Sequence, residues 1–405
     1  MSLRTLRLGT LSLRTLSRAA VATVAVVVGA TACGSTGSGN DPTGQGQTQA
    51  PIGTDQICGK GTGGKPGYQN TINKIDGAKT DLSGAGATFV APMMSVWTKD
   101  YASQGIKVAY QSIGSGGGVK QISAQTVDFG ASDTPMKDPE LADAKGGPIL
   151  HVPLVLGAVV PTYHVKGVSS GLKFTGEVLG KIFAGEITKW NDPALAEINQ
   201  GTTLPDQPIA VVHRSDGSGT TAVFTDYLTK ASPSWVTKLG GADRSKGKEV
   251  AWPTGIGGKG NEGVSGQVGQ TEGALGYVEL SYALAQDLTY GLVKNKAGKF
   301  IQPCVDTVAA ATVGVQFPAD LRTSLTDEPG PDAYPITGTT YALIYQNQTD
   351  KATAAALVSF FGWVLSSGQD EATSINYTPL GKDLQGLAYG QLKKVTVGGQ
   401  PLVKS

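Results

Sequence analysis

Ile209-Ala210-Val211-Val212-His213-Arg214-Ser215-Asp216-Gly217-Ser218-Gly219-Thr220 joins two different sequence patterns through one polar turn. The β-branched run 209–213 predicts a buried strand. Beyond the turn, Val223, Phe224, Tyr227 and Leu228 fall on one side of a 3.6-residue period and predict a helix over 221–230. Strand, short turn, helix is the repeating unit of α/β proteins. The pattern recurs outward in both directions. Lys107–Gln111, Ile149–Val160 and Tyr341–Tyr345 read as further strands. Val90, Met94, Trp97 and Tyr101 predict one helix stripe, and Leu357, Val358, Phe361, Val364 and Leu365 another. These stripes read as core packing. The glycine-rich stretch 254–273 reads as an ordered loop, and Lys394–Val397 as a short terminal strand.

Two more segments share the design of 214–220. Ser83-Gly84-Ala85-Gly86-Ala87-Thr88-Phe89 precedes a helix opening near Ala91-Pro92, and Gly114-Ser115-Gly116-Gly117-Gly118 precedes Val119–Ile122. A helix start leaves backbone N–H groups without intrahelical partners, and glycine lets a ligand approach them. Such ends attract anions. Taken singly, each turn reads as an ordinary Ser or Thr cap; three together, one carrying Arg214, point to an oxyanion site. The Arg214 guanidinium adds a permanent charge and a planar fork, with Asp216 as its ion-pair partner. Val127-Asp128-Phe129-Gly130-Ala131-Ser132-Asp133 ends an apolar run on a carboxylate. Alone, Asp133 reads as a turn residue. Facing an anion it favours one that still carries a proton, as phosphate does near neutral pH, over sulfate, which does not.

Of 405 residues, 57 are glycine, about twice the usual share. The length predicts two lobes or domains. A net charge of +1 argues against a nucleic-acid partner. Three Cys and three His, with no paired C-x-x-C, argue against a metal site. Residues 1–32 hold Arg4, Arg7, Arg14 and Arg18, no acid, and the apolar run Ala19–Val28: a secretory signal peptide whose run is too short to span a bilayer. Ala30-Thr31-Ala32-Cys33 resembles a bacterial lipobox, with Ala30 where Leu is usual, which makes Cys33 the expected lipidation site. The stretch from Gly34 to about Gln56, within an extension placed at 33–80, has the composition of a flexible tether. Cleavage before Cys33 leaves a formal charge of −3 and, besides the lipidated Cys33, two cysteines, Cys58 and Cys304; in an exported protein such a pair favours a disulfide.

Together with Gly257-Gly258-Lys259-Gly260-Asn261, Gly276-Tyr277-Val278-Glu279 and Tyr334-Pro335-Ile336-Thr337, these segments resemble the phosphate-binding proteins (PstS) of bacterial ABC importers from about Ser83 to Leu387. The resemblance implies a type II periplasmic-binding-protein fold with the ligand in the cleft between two lobes. Residues 81–155 and 331–405 would form the first lobe and 156–330 the second. It implies phosphate held by Thr88, Phe89, Ser115, Asp133, Arg214, Ser218, Gly219 and Thr220, with Asp216 holding Arg214 and Asp133 accepting the ligand's proton. It also implies a monomer that needs no cofactor, sits outside the cytoplasm on a lipid anchor, and passes phosphate to membrane ABC permease subunits. Gly116 stands where the family often has Ser. A Cys58–Cys304 bridge would tie the extension to the second lobe and restrict hinge motion.

Three other readings compete. A receptor for another tetrahedral oxyanion such as sulfate would avoid a carboxylate at Asp133. A surface adhesin or scaffold would not need the whole cradle. A hydrolase of phosphate esters would use Gly167-Val168-Ser169-Ser170-Gly171 as its elbow, but Leu172-Lys173-Phe174-Thr175 follows where a helix should begin. His151, His164 and His213 read as strand histidines. Each Gly-Lys pair lacks the Ser or Thr of a phosphate-binding P-loop. Gly255-x-Gly257-x-x-Gly260 fits a dinucleotide pattern without joining a clear strand to a helix.

Overall fold

Parallel strands organise both halves of the molecule, and two long antiparallel strands join them. The computed structural model describes Cys58 and residues 72–403. The signal peptide, Cys33 and most of the tether lie outside the described residues. In chain order the elements that build the cleft are β1 (Asp81–Gly86), α1 (Ala91–Tyr101), β2 (Lys107–Ser112), α2 (Ser115–Ser123), β3 (Phe129–Ser132), α3 (Asp138–Ala142) and β4 (Ile149–His164). There follow β5 (Ala210–Arg214), α4 (Gly219–Ala231), β6 (Ile256–Gly258), α5 (Gly260–Gln270), β7 (Ala274–Glu279) and α6 (Leu280–Ala285). The chain closes with α7 (Val305–Ala310), β8 (Ile336–Tyr345) and α8 (Lys351–Val364).

The main sheet runs β2-β1-β3-β8-β4-β7-β5-β6. Strand β1 is parallel to β2 and β3, and β5 is parallel to β6 and β7. Between these sets, β4 changes partner along its length. Ile149 to Ala158 pair with β8, and Val159 to His164 pair with β7. Fifteen of its sixteen residues are buried, which fits a long, mostly apolar run interrupted by His151. The register of β4 against β8 slips between Thr340 and Tyr341, a bulge opposite Pro153 and Val155. The extra residue, Leu154, has its carbonyl satisfied by the buried amide of Gln369 at 2.9 Å.

The helices form where the stripes predicted, and their ends follow the caps. Met94, Trp97 and Tyr101 of α1 are buried, and Pro92 sits in its first turn, where a missing N–H costs nothing. Ser218 caps α4 by accepting from Thr221 N at 2.9 Å, so this helix starts at Gly219, ahead of the expected 221. Asp350 caps α8 in the same way at 2.7 Å.

Three readings change. The glycines at 84 and 86 lie in β1, where the Phe129 ring covers the Gly84 backbone, so the first turn is only 87–90. The stretch 254–273 is not a loop but β6 followed by α5, and its dinucleotide-like glycines do join a strand to a helix. Glycine is a poor helix former, yet Val264 and Val268, one turn apart, pack into the core over Gly276 and outweigh that preference. The expected disulfide does form: Cys58 and Cys304 are bonded with Cα atoms 6.0 Å apart, fastening the extension to the start of α7. Among the described residues no helix is long and apolar enough to cross a membrane.

Candidate functional site

Four strand-to-helix turns converge on one buried cluster. The β1–α1 turn brings Thr88 and Phe89, the β2–α2 turn Ser115, the β5–α4 turn Arg214 to Thr220, and the β6–α5 turn Gly260 and Asn261. Thr88, Phe89, Ser115, Asp133, Arg214, Ser218 and Thr220 are all buried. Gly219 is buried too, and a side chain there would strike Ser115 Oγ and Asp133 Oδ2, so only glycine lets α4 approach β3 this closely. The two sides also meet through Gly116 N, which donates to Gly217 O at 2.8 Å.

Arg214 is held as a fork. Its Nε donates to Asp216 Oδ1 at 2.8 Å and its Nη2 to Asp216 Oδ2 at 2.6 Å, with the guanidinium almost wholly buried. Gly260 N adds a third donor to Asp216 at 3.0 Å. Burial pushes the Asp216 carboxyl up, but the Arg214 hydrogen bonds and charge outweigh it and hold it below the usual carboxylate range. The remaining Arg214 nitrogen, Nη1, reaches Thr220 Oγ1 at 3.3 Å. The pair therefore stays ionised, with one edge of the fork facing the cluster.

Asp133 sits in the opposite electrostatic position. Thr340 Oγ1 donates to its Oδ1 at 2.8 Å and Ser115 Oγ to its Oδ2 at 3.2 Å. Thr340 flanks the β8 irregularity, and bulges commonly re-aim a side chain in this way. Desolvation still dominates and raises the Asp133 carboxyl to about 7, against the pull of Thr340, Arg214, Ser115 and Lys248. Near neutral pH it is therefore divided between its neutral and charged forms. A cavity of about 810 Å³ has Asp133 in its wall, together with Lys248, Arg322 and Thr337. Lys248 Nζ spans from the loop before β6 to Glu140 of α3 at 2.9 Å.

Beneath the cluster lie groups the sequence reading did not assign. Asn261 is fully buried and touches both Thr88 and Thr220. Tyr282 OH donates to Thr88 O at 2.6 Å, polarising the peptide whose N–H belongs to Phe89. Tyr377 OH donates to Phe89 O. Glu279 is fully buried at the start of α6, with Oε2 accepting from Ser281 N at 3.0 Å and Oε1 without a hydrogen-bond partner. Burial raises its carboxyl to about 8 despite Ser281 and Tyr377, so it is protonated at neutral pH. The segments holding Asn261 and Glu279 carried the family resemblance, but no local pattern marks either residue as part of a cluster.

The residues of the hydrolase reading are spent elsewhere. Residues 167–171 run into the two-residue strand Lys173–Phe174 and start no helix; Tyr163 OH donates to Ser169 O at 2.6 Å. His151 accepts from Met136 N at 3.0 Å, and burial lowers it to about 4. His164 faces Glu272 at 3.6 Å, and His213 stacks on Trp252.

A two-part α/β sheet crossed by long shared strands, with helix starts converging between the parts, defines a type II periplasmic binding protein. The model of the PBP superfamily domain matches residues 41–367. A solved high-affinity periplasmic phosphate-binding protein with bound phosphate aligns with a TM-score of 0.61 at 22% identity, over 76% of this chain and 93% of its own, a likeness of fold. The phosphate-binding protein PstS of Xylella fastidiosa is 44% identical over 307 residues, 75% of this chain and 82% of that protein. That of Haemophilus influenzae is 41% identical over 331 residues, 80% and 97% respectively. The chain belongs to the PstS family of phosphate-binding proteins.

Proposed function

We propose that this protein binds inorganic phosphate outside the cytoplasm and delivers it to a membrane ABC permease, without catalysing a reaction. The observation that carries this reading is the pairing of one buried, ionised Arg214–Asp216 fork with one buried carboxylate, Asp133, poised near neutrality. Thr88, Phe89, Ser115, Ser218, Gly219 and Thr220 supply neutral donors, Arg214 the single full charge, and Asp133 the acceptor for the ligand's proton. A dry cleft rich in donors holds a dianion without needing equal positive charge. Sulfate offers no proton, so Asp133 would meet it as an unrelieved like charge.

We assign 81–155 and 331–405 to one lobe and 156–330 to the other. The change of partner at Ala158 and Val159 of β4 supports that division. Signal cleavage before Cys33, acylation of that cysteine and a flexible leash complete the reading of a monomer held at the cell membrane. Cys33→Ala should release the protein from the membrane fraction; unchanged membrane association would refute the anchor. The receptor itself is tested by calorimetric titration of the chain from about Gln56, stripped of ligand by unfolding and refolding. Tight one-to-one phosphate binding without sulfate heat is expected. Equal affinity for both anions would favour the broader oxyanion receptor.

A further inference from the structure

We propose that Asn261 is a positioning residue that fixes the direction of two threonine hydroxyls, one from each side of the cleft, so that both can act only as donors to the bound anion. The inference rests on the phosphate reading of this site. It begins with Asn261 itself, whose amide has only one self-consistent orientation. Glu279 N donates to Asn261 Oδ1 at 3.0 Å, and an N–H cannot accept, so the oxygen must face Glu279 and the NH₂ must face the threonines.

That NH₂ group serves both hydroxyls. Asn261 Nδ2 lies 2.8 Å from Thr88 Oγ1 and 3.1 Å from Thr220 Oγ1. Each threonine receives a second N–H: Asn261 N reaches Thr88 Oγ1 at 3.2 Å, and Arg214 Nη1 reaches Thr220 Oγ1 at 3.3 Å. A hydroxyl has two lone pairs and one proton. With both lone pairs filled by donors that have no acceptor capacity, each O–H has nothing left to do but donate. Both threonines are buried, so water does not compete for those protons.

The consequence is a cradle whose hydrogen-bonding polarity is set before the ligand arrives. A free hydroxyl is ambivalent and would spend part of its time offering a lone pair to an anion. Asn261 removes that choice at two positions at once and leaves Asp133 as the acceptor the cradle offers. A protonated anion is then read at one place, and the remaining oxygens meet donors. Ordering paid during folding is not paid again on binding.

A double-mutant cycle tests this, with phosphate titrated against wild type, Asn261→Ala, Thr88→Val with Thr220→Val, and the triple variant. Asn261→Ala is expected to weaken phosphate binding about 30-fold in the wild-type background and less than about threefold once the two hydroxyls are gone. Asn261→Asp, nearly the same shape, should weaken it more than alanine does, because a carboxylate accepts the two protons that the amide sends outward. A wild-type Kd in Asn261→Ala would overturn the proposal. So would an equal 30-fold loss on the valine background, which is what a merely structural role predicts. An alanine variant that misfolds leaves the aspartate comparison, where a loss milder than that of Asn261→Ser would overturn the proposal too. Failure of the wild type to bind phosphate at all would remove the underlying reading, a result visible before any variant is measured.

Discussion

Thr88, Phe89 and Ser115 stand on one side of the cleft and Arg214 to Thr220 on the other, each group at the start of a helix that follows a parallel strand. The first side carries no cation within its turns and contributes the carboxylate of Asp133, driven up to about 7 by burial. The second carries Arg214, already matched to Asp216 through 2.8 and 2.6 Å hydrogen bonds. In the proposed reading the same backbone device would serve two chemistries: one side would discriminate by proton, the other attract by charge. Arg214 pulls the Asp133 carboxyl down without overcoming its desolvation, and the fork of Arg214 is matched to Asp216 instead.

Removing the charge on the second side should have the largest effect. Arg214→Ala leaves Asp216 buried without its partner and takes the cation from the ligand, a loss on the order of 4 kcal/mol, or about a thousandfold in phosphate Kd. Calorimetry on a variant with native circular dichroism checks it. Affinity within tenfold of wild type would mean the two sides do not divide the work as described.

A smaller effect is expected beneath the cleft, in stability without ligand. Glu279 titrates near 8 when folded and near its ordinary value of 4.5 when unfolded. The folded protein therefore keeps a proton that the unfolded chain has lost across that window. Its contribution is full below about pH 4.5 and disappears as pH rises through 8. The urea unfolding free energy of the ligand-free protein should fall between pH 5 and 8, by about 3 kcal/mol from this group. Asp133 adds to the same slope up to about 7. Glu279→Gln should flatten part of it, and an unchanged slope would contradict a protonated Glu279.

The contrast also explains what was legible in the sequence. Arg214, Ser218 and Thr220 stand in a polar turn between an apolar strand and an amphipathic helix, so both their place and their chemistry are local. The same holds for Ser115 and Thr88. Asn261 is hidden because glycine around it masks the helix that only packing of Val264 and Val268 reveals. Thr340 and Glu279 are invisible for a different reason: one owes its role to a register slip against β4, the other to burial under strands distant in sequence. Long-range pairing and desolvation leave no local pattern. The disulfide partners were legible by elimination, although their geometry was not.

The central claim is that Asp133 reads the ligand's proton, and phosphate and sulfate titrations of wild type and Asp133→Asn from pH 6 to 8.5 test it most directly. For wild type, phosphate affinity should rise as Asp133 loses its proton through about pH 7, with sulfate binding far weaker throughout. Asparagine should lower phosphate affinity, flatten its pH dependence and narrow the gap to sulfate by at least about tenfold, roughly 1.4 kcal/mol. An unchanged phosphate-to-sulfate ratio in a folded Asp133→Asn protein would contradict the account.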